Sequence, residues 1–123
     1  MIGELRLIML VVKDMGRSVR FYRDVIGLKL MFETPGWGQL DAGNIQLGLH
    51  PETEHLKAHP TESCSFGFHV KDIQQTVADL RARGATILME PQKDEFGVLA
   101  LAADPDGYTV RLFQENAQAG DWK

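Results

Sequence analysis

Val12-Lys13-Asp14 recurs as Val70-Lys71-Asp72, an offset of 58 residues (70 − 12). At the same offset Val19 matches Val77, Arg23 matches Arg81, Leu30-Met31 matches Leu88-Met89, and Thr76 answers Ser18. An apolar, strand-like run precedes each copy and a helical pattern follows it, so the repeating object is a supersecondary unit. Asp14 and Asp72 stand where a helix begins, and a carboxylate there accepts a backbone N–H of the first turn. Gln75, three residues after Asp72, has the spacing of a capping box.

Outward from the first copy, Leu5 to Val12 is apolar on both faces apart from Arg6, as in a strand covered on both sides. Met15, Val19, Tyr22 and Ile26 form one helical stripe, which Gly27 can stop in a left-handed conformation. Strands are expected at Leu28–Glu33, Trp37–Asp41 and Ile45–His50, with turns at Pro35-Gly36 and Ala42-Gly43-Asn44. The second copy reads the same way. A strand Ser63–Val70 leads into the stripe Ile73, Val77 and Leu80, which ends at Gly84. Strands near Thr86–Glu90, Gly97–Ala102 and Tyr108–Gln114 follow, the last two joined by the tight turn Asp104-Pro105-Asp106-Gly107. Pro51–Glu62 is polar and aperiodic, with two prolines, and reads as a linker; Asn116–Lys123 reads as a frayed tail. The expected fold is α+β: two tandem βαβββ modules, about 4–50 and 63–115, in a single domain of residues 1–123 around an open half-barrel groove.

About fifty residues bury little by themselves, so each module needs the other or a partner chain against it. The 44% hydrophobic and 24% charged content is that of an ordinary soluble domain. A net charge of −4 speaks against nucleic-acid binding, which calls for a basic stripe, and leaves small molecules as partners. Cys64 is the only cysteine, so no intrachain disulfide forms and a reducing, cytoplasmic setting is expected. The apolar run Leu7–Val12 is too short for a membrane span and follows Glu4 and Arg6 rather than a basic leader.

Strand alternation says what the groove contains. With Ile8, Leu10 and Val12 towards the helix, Leu7, Met9 and Val11 face the groove. By the same rule Gln46, Gly48 and His50 face it from the fourth strand. Ser65, Gly67 and His69 do so from the fifth, and Thr109, Arg111 and Phe113 from the last. This is an apolar cleft with a few convergent polar groups, the usual make-up of a ligand site.

The stretches Val11-Val12-Lys13-Asp14, Arg17-Ser18-Val19-Arg20-Phe21-Tyr22 to Gly27, and Asp104-Pro105-Asp106-Gly107-Tyr108 resemble the vicinal-oxygen-chelate superfamily. That superfamily groups glyoxalase I, extradiol dioxygenases, fosfomycin-resistance enzymes and bleomycin-resistance proteins. Its metal enzymes typically hold a divalent ion with His, Glu, His and Glu on the first, fourth, fifth and eighth strands. The resemblance puts Leu7, Gln46, Ser65 and Arg111 at those four places, and Leu7 and Ser65 obey the 58-residue offset (65 − 7). Leucine cannot ligate, an amide and a hydroxyl ligate weakly, and a guanidinium repels a cation. No metal and no other cofactor is therefore expected. Gly36-Trp37, and the Asp-Pro-Asp-Gly turn followed by Arg111-Leu112, resemble the bleomycin-resistance proteins in particular.

What the resemblance implies is a metal-free protein that binds a small aromatic or amphipathic molecule, an antibiotic for instance, as a homodimer. The expected ligand contacts are Leu7, Met9, Trp37, Gln46, Ser65, His69, Arg111 and Phe113, with no catalytic residue. The alternative is a lyase, isomerase or dioxygenase with a displaced metal site; a third reading is a degenerate groove with a structural or regulatory role. Trp37 either stacks on a planar ligand or only closes the groove, and His69 is either a hydrogen-bonded structural residue or a base. Arg111 either binds ligand or pairs with Glu33 or Glu90. His50, His55 and His59 with Glu52, Glu54 and Glu62 have no ligand-like spacing beyond His55–His59 and read as a solvated linker. Cys64 has no basic neighbour that would make it a nucleophile.

Overall fold

In the computed structural model, which describes residues 2–116, both halves start with the same strand-to-helix turn. Asp14 and Asp72 keep extended backbone, with φ of −141° and −139°. Each carboxylate accepts the N–H three residues on, from Arg17 at 3.0 Å and from Gln75 at 3.1 Å. Their carbonyls take the next amides, those of Ser18 at 3.0 Å and Thr76 at 2.9 Å. The reciprocal half of the capping box is not made by Gln75. Its amide donates instead to Asp79, one turn on along the same helix face, at 2.8 Å. The Ile73 N–H, another first-turn donor, is satisfied from far along the chain by Gln114 Oε1 at 2.7 Å.

The first unit runs β1 (Leu7–Val12), α1 (Met15–Arg20) with a π-helical continuation (Phe21–Ile26), β2 (Lys29–Thr34), β3 (Trp37–Asp41) and β4 (Gln46–Pro51). The second runs β5 (Phe66–His69), α2 (Ile73–Ala82), β6 (Thr86–Lys93), β7 (Gly97–Ala103) and β8 (Thr109–Glu115). The sheets are ordered β1-β4-β3-β2 and β5-β8-β7-β6, each with one parallel pair between its first and last strand. The chain is thus α+β, built from two tandem βαβββ modules whose sheets stay open. The two compact units meet in sequence at His59 and Pro60. The tail from residue 117 onward lies outside the described residues. Among those described, no helix is long and apolar enough to cross a membrane.

Each helix covers one face of its own sheet. In the first unit Val12, Val19, Tyr22, Leu40 and Leu49 are at most 1% exposed; in the second, Ile73, Val77, Leu80, Ala100, Val110 and Leu112 fill the equivalent core. The pairs Val19/Val77 and Tyr22/Leu80 obey the sequence offset, so the repeat marks the same packing positions twice. The first helix is not α throughout, as a single stripe would suggest. Its last turn widens to a π-helix and ends on Gly27, φ 96°, with Gly27 N and Leu28 N both donating to the Tyr22 carbonyl. The second helix stops at Gly84, an offset of 57 (84 − 27) rather than 58. The wider π turn holds that one surplus residue without moving the buried face.

Several strand boundaries differ from expectation, most at β6, which runs on to Lys93 rather than Glu90, and at β5. β5 begins at Phe66, not Ser63, because its ladder with β8 starts at Phe66–Val110. Upstream, Thr61 Oγ1 accepts from Ser63 N at 3.2 Å, a local side-chain turn that competes with strand pairing. The segment after β4 is tied down as well: Glu52 N donates to the Val12 carbonyl at 3.2 Å and Ala58 N to the Glu52 carboxylate at 2.9 Å.

Asp104 holds the turn before β8. It is 5% exposed, and its Oδ1 accepts from Asp106 N and Tyr108 N, both at 2.9 Å, while Gly107 adopts φ 95°. Asp104→Ala leaves two amides of an enclosed turn without that acceptor, a loss of about 1–3 kcal/mol. Urea denaturation of the variant should show it as a lower midpoint at unchanged slope.

Candidate functional site

In each unit the sheet face away from the helix carries the residues that alternation assigned to the groove. On the first sheet, Leu7 lies opposite Gln46 and Met9 opposite Gly48, and β3 brings Gln39 opposite Gly48. Leu7 and Met9 are 44% and 42% exposed. Val11, expected beside them, is buried; it lies opposite His50, at the end where the chain stays bonded to β1 through Glu52. The Trp37 indole occupies the space beside the bare Cα of Gly48. A Cβ at residue 48 would overlap Cζ2 and Cη2 of the indole and come within 3.2 Å of Leu7 Cδ1, so the absence of a side chain there seats the ring. The edge of the ring is fixed too: Trp37 Nε1 donates to Gln39 Oε1 at 3.1 Å, and His50 packs edge-on at 6.3 Å between centroids.

The amide chain continues to the position where the resemblance expects a metal ligand. Gln39 Nε2 donates to Gln46 Oε1 at 3.3 Å, and Gln46 Nε2 donates to Asp41 Oδ1 at 3.4 Å. Gln46 is thereby used as a link between side chains.

The second unit holds a cavity of about 460 Å³. Gly67, His69, Leu99, Arg111 and Phe113 line it from the sheet, and Asp94 and Phe96 from the turn between β6 and β7. Register explains the grouping. Gly67 is opposite Arg111, His69 is opposite Phe113, and β7 sets Leu99 opposite Phe113. The bare Cα of Gly67 leaves the Arg111 stem room, since a Cβ there would stand 3.2 Å from the Arg111 Cβ. His69 and Phe113 rings are 6.1 Å apart and tilted by 57°. Arg111 is exposed, and its guanidinium makes no hydrogen bond or ion pair among the described residues of its unit. Glu90, one of its expected partners, is engaged by Arg81, and Glu33 belongs to the first unit.

Alternation did not reveal Phe96, because it sits on a turn where strand periodicity has no authority. Asp94 Oδ1 accepts from Phe96 N at 2.7 Å and Gly97 N at 3.0 Å, and Asn116 Nδ2 donates to the Glu95 carbonyl at 3.0 Å. The Asp-x-x-Gly pattern at residues 94–97 was the available signal for a side-chain-capped turn. Phe96 is 58% exposed and closes one side of the cavity.

The side chains at the four family metal positions are poor ligands, each within its own unit. Leu7 packs near the Trp37–Gly48 stack, Gln46 is tied to Gln39 and Asp41, and Arg111 brings a permanent cation. Ser65 precedes β5, and the residue opposite Arg111 is Gly67 instead. Among the described residues, no three His, Cys, Asp or Glu side chains converge as a metal centre would need. Against the expectation of a solvated linker, His50 lies in β4, with its Nδ1 2.7 Å from the Pro51 carbonyl, whereas His55 sits 3.9 Å from Glu54 on the surface. Cys64 is exposed.

Gly48→Ala should push the indole off the sheet. In a Trp122→Phe background, where one tryptophan reports, its emission should shift to the red and its quenching by iodide should rise.

The chain matches the Glyoxalase/Bleomycin resistance protein/Dioxygenase superfamily over residues 5–112. It is 31% identical to the lactoylglutathione lyase of Haemophilus influenzae, over 89% of this chain and 90% of that protein. It is 30% identical to lactoylglutathione lyase GLX1 of Arabidopsis thaliana, over 84% of this chain, and it spans only 41% of that protein's length. Among solved structures, the antibiotic binding protein TnmS3 from Streptomyces sp. CB03234 superposes with a TM-score of 0.78 at 23% identity, over 94% of this chain and 98% of that one. With the paired βαβββ units and the Asp-Pro-Asp-Gly turn, these matches place the chain in the glyoxalase/bleomycin resistance protein/dioxygenase superfamily.

Proposed function

We propose that this chain is a metal-free binding protein for a small aromatic or amphipathic molecule, working as a cytoplasmic homodimer with residues 1–123 as one functional domain. The observation that carries the reading is the second-unit cavity, walled by Phe96, Leu99 and Phe113 and polar only at a few side chains. Its volume of about 460 Å³ is in the range of small-molecule sites, roughly 300–1,000 Å³. Trp37, seated at Gly48 and bonded to Gln39, offers a second planar apolar side chain on the first unit. The superposition with an antibiotic binding protein supports the same reading, and an antibiotic is an eligible ligand.

A thermal-shift screen with aromatic antibiotics tests it. A ligand present at about 100 times its Kd adds roughly 2.7 kcal/mol of stability, which raises the melting temperature by several degrees. No shift with any member of an aromatic panel would remove the reading. Light scattering at micromolar concentration should give twice the chain mass, and a monomer would refute the dimer.

Identity of about 30% to lactoylglutathione lyases favours a second reading, a lyase with its metal held elsewhere. The two readings diverge in metal content. After growth in supplemented medium the purified protein should hold no stoichiometric zinc, nickel or iron and form no lactoylglutathione. One tightly held ion per subunit, together with lactoylglutathione formation, would establish the lyase reading instead.

A further inference from the structure

The second-unit cavity contains two opposite charges that do not satisfy one another. Asp94 has its Oδ1 committed to the amides of Phe96 and Gly97, holding the turn that carries Phe96. Arg111 has no such commitment among the described residues of its unit: Glu90 pairs with Arg81, and the residue level with Arg111 across β7 is Met89. No ion pair joins Arg111 to Asp94, although both line the same space.

The chemistry around Arg111 is specific. Its stem stands over Gly67, where no side chain competes for the volume, and the parallel pairing of β5 with β8 fixes its place. A guanidinium stays charged, accepts no hydrogen bond, and presents a planar fork of N–H donors suited to two oxygens at once. Around it are the aromatic and aliphatic faces of Phe96, Phe113 and Leu99, with the His69 ring beside Phe113. His69 can add a second donor through its ring nitrogens.

We propose that this cavity selects aromatic molecules bearing an anionic group, a carboxylate or a sulfonate, with Arg111 receiving the anion and Phe96 and Phe113 receiving the ring. The inference deepens the proposed function and rests on it: the ligand is not only aromatic but acidic. Asp94 opposes the anion from across the cavity, so it limits the affinity without reversing the preference, its Oδ1 being occupied by two backbone donors.

A matched series separates ring from charge: 3-methylindole (neutral), indole-3-acetate (anionic) and tryptamine (cationic), titrated by calorimetry into the intact protein. Indole-3-acetate should bind about tenfold tighter than 3-methylindole, and tryptamine more weakly than either. Arg111→Met should bring the first two within about twofold of each other, with the melting temperature unchanged because the side chain is exposed and unpaired in its unit. Arg111→Lys should recover only part of the preference, since it keeps the charge and loses the fork. Asp94→Asn retains the turn-holding oxygen and should tighten indole-3-acetate severalfold. Equal binding of the neutral and anionic compounds, or a preference that survives Arg111→Met, overturns the inference and leaves the aromatic-binding reading standing. Tightest binding of tryptamine overturns it as well. Failure of all three compounds to bind removes both.

Discussion

The structure depends on one interaction made twice: an aspartate that ends a strand and starts a helix. Asp14 and Asp72 accept the N–H three residues on while their own backbone is still extended. A side-chain cap of this kind contributes about 0.5–2 kcal/mol, modest beside the core it directs. Its larger effect is geometric. It turns the chain back over the sheet within a few residues, so the helix covers one face and leaves the other open. Alternation along each strand then decides which side chains that open face receives.

The two open faces have diverged from this common plan. On the first, a tryptophan occupies the space above a glycine, and an amide chain from Gln39 through Gln46 to Asp41 uses up the polar groups nearby. On the second, the glycine lies opposite an arginine, and the turn carrying Phe96 closes part of the space into a cavity. Both faces are shaped by a glycine whose missing Cβ makes room for a neighbouring side chain. The first face is a closed hydrogen-bonded surface around an aromatic ring; the second keeps an arginine without a carboxylate partner in its unit.

This fold hosts several chemistries, so membership in the superfamily says little about activity. Superposition on a solved structure at 23% identity shows the fold alone. Local chemistry weighs more than either. A leucine, an amide already bonded to its neighbours, a serine outside its strand and a guanidinium are poor company for a divalent cation. Arg111, with Phe96, Leu99 and Phe113 lining the same cavity, suits an organic ligand.

Much of this was written in the chain itself. The 58-residue repeat, the two capping aspartates and the glycine stops depend on contacts within a few residues, so the sequence by itself determined two βαβββ units and their buried stripes. Period-two alternation likewise placed Leu7, Met9, His69, Arg111 and Phe113 away from the helices, because a strand has only two faces. Distance along the chain hid the rest. The π turn before Gly27 shows in sequence only as a one-residue slip between two glycines. The start of β5 depended on where its partner β8 begins, and Val11 became buried through contacts that no strand pattern encodes. The seat of the Trp37 ring depended on Gly48, eleven residues away (48 − 37), and Phe96 reached the cavity from a turn. Glu90, a carboxylate the sequence offered to Arg111, pairs instead with Arg81 of α2. Local periodicity carries backbone and burial; side-chain partnership across strands is settled only when tertiary packing brings the candidates within reach.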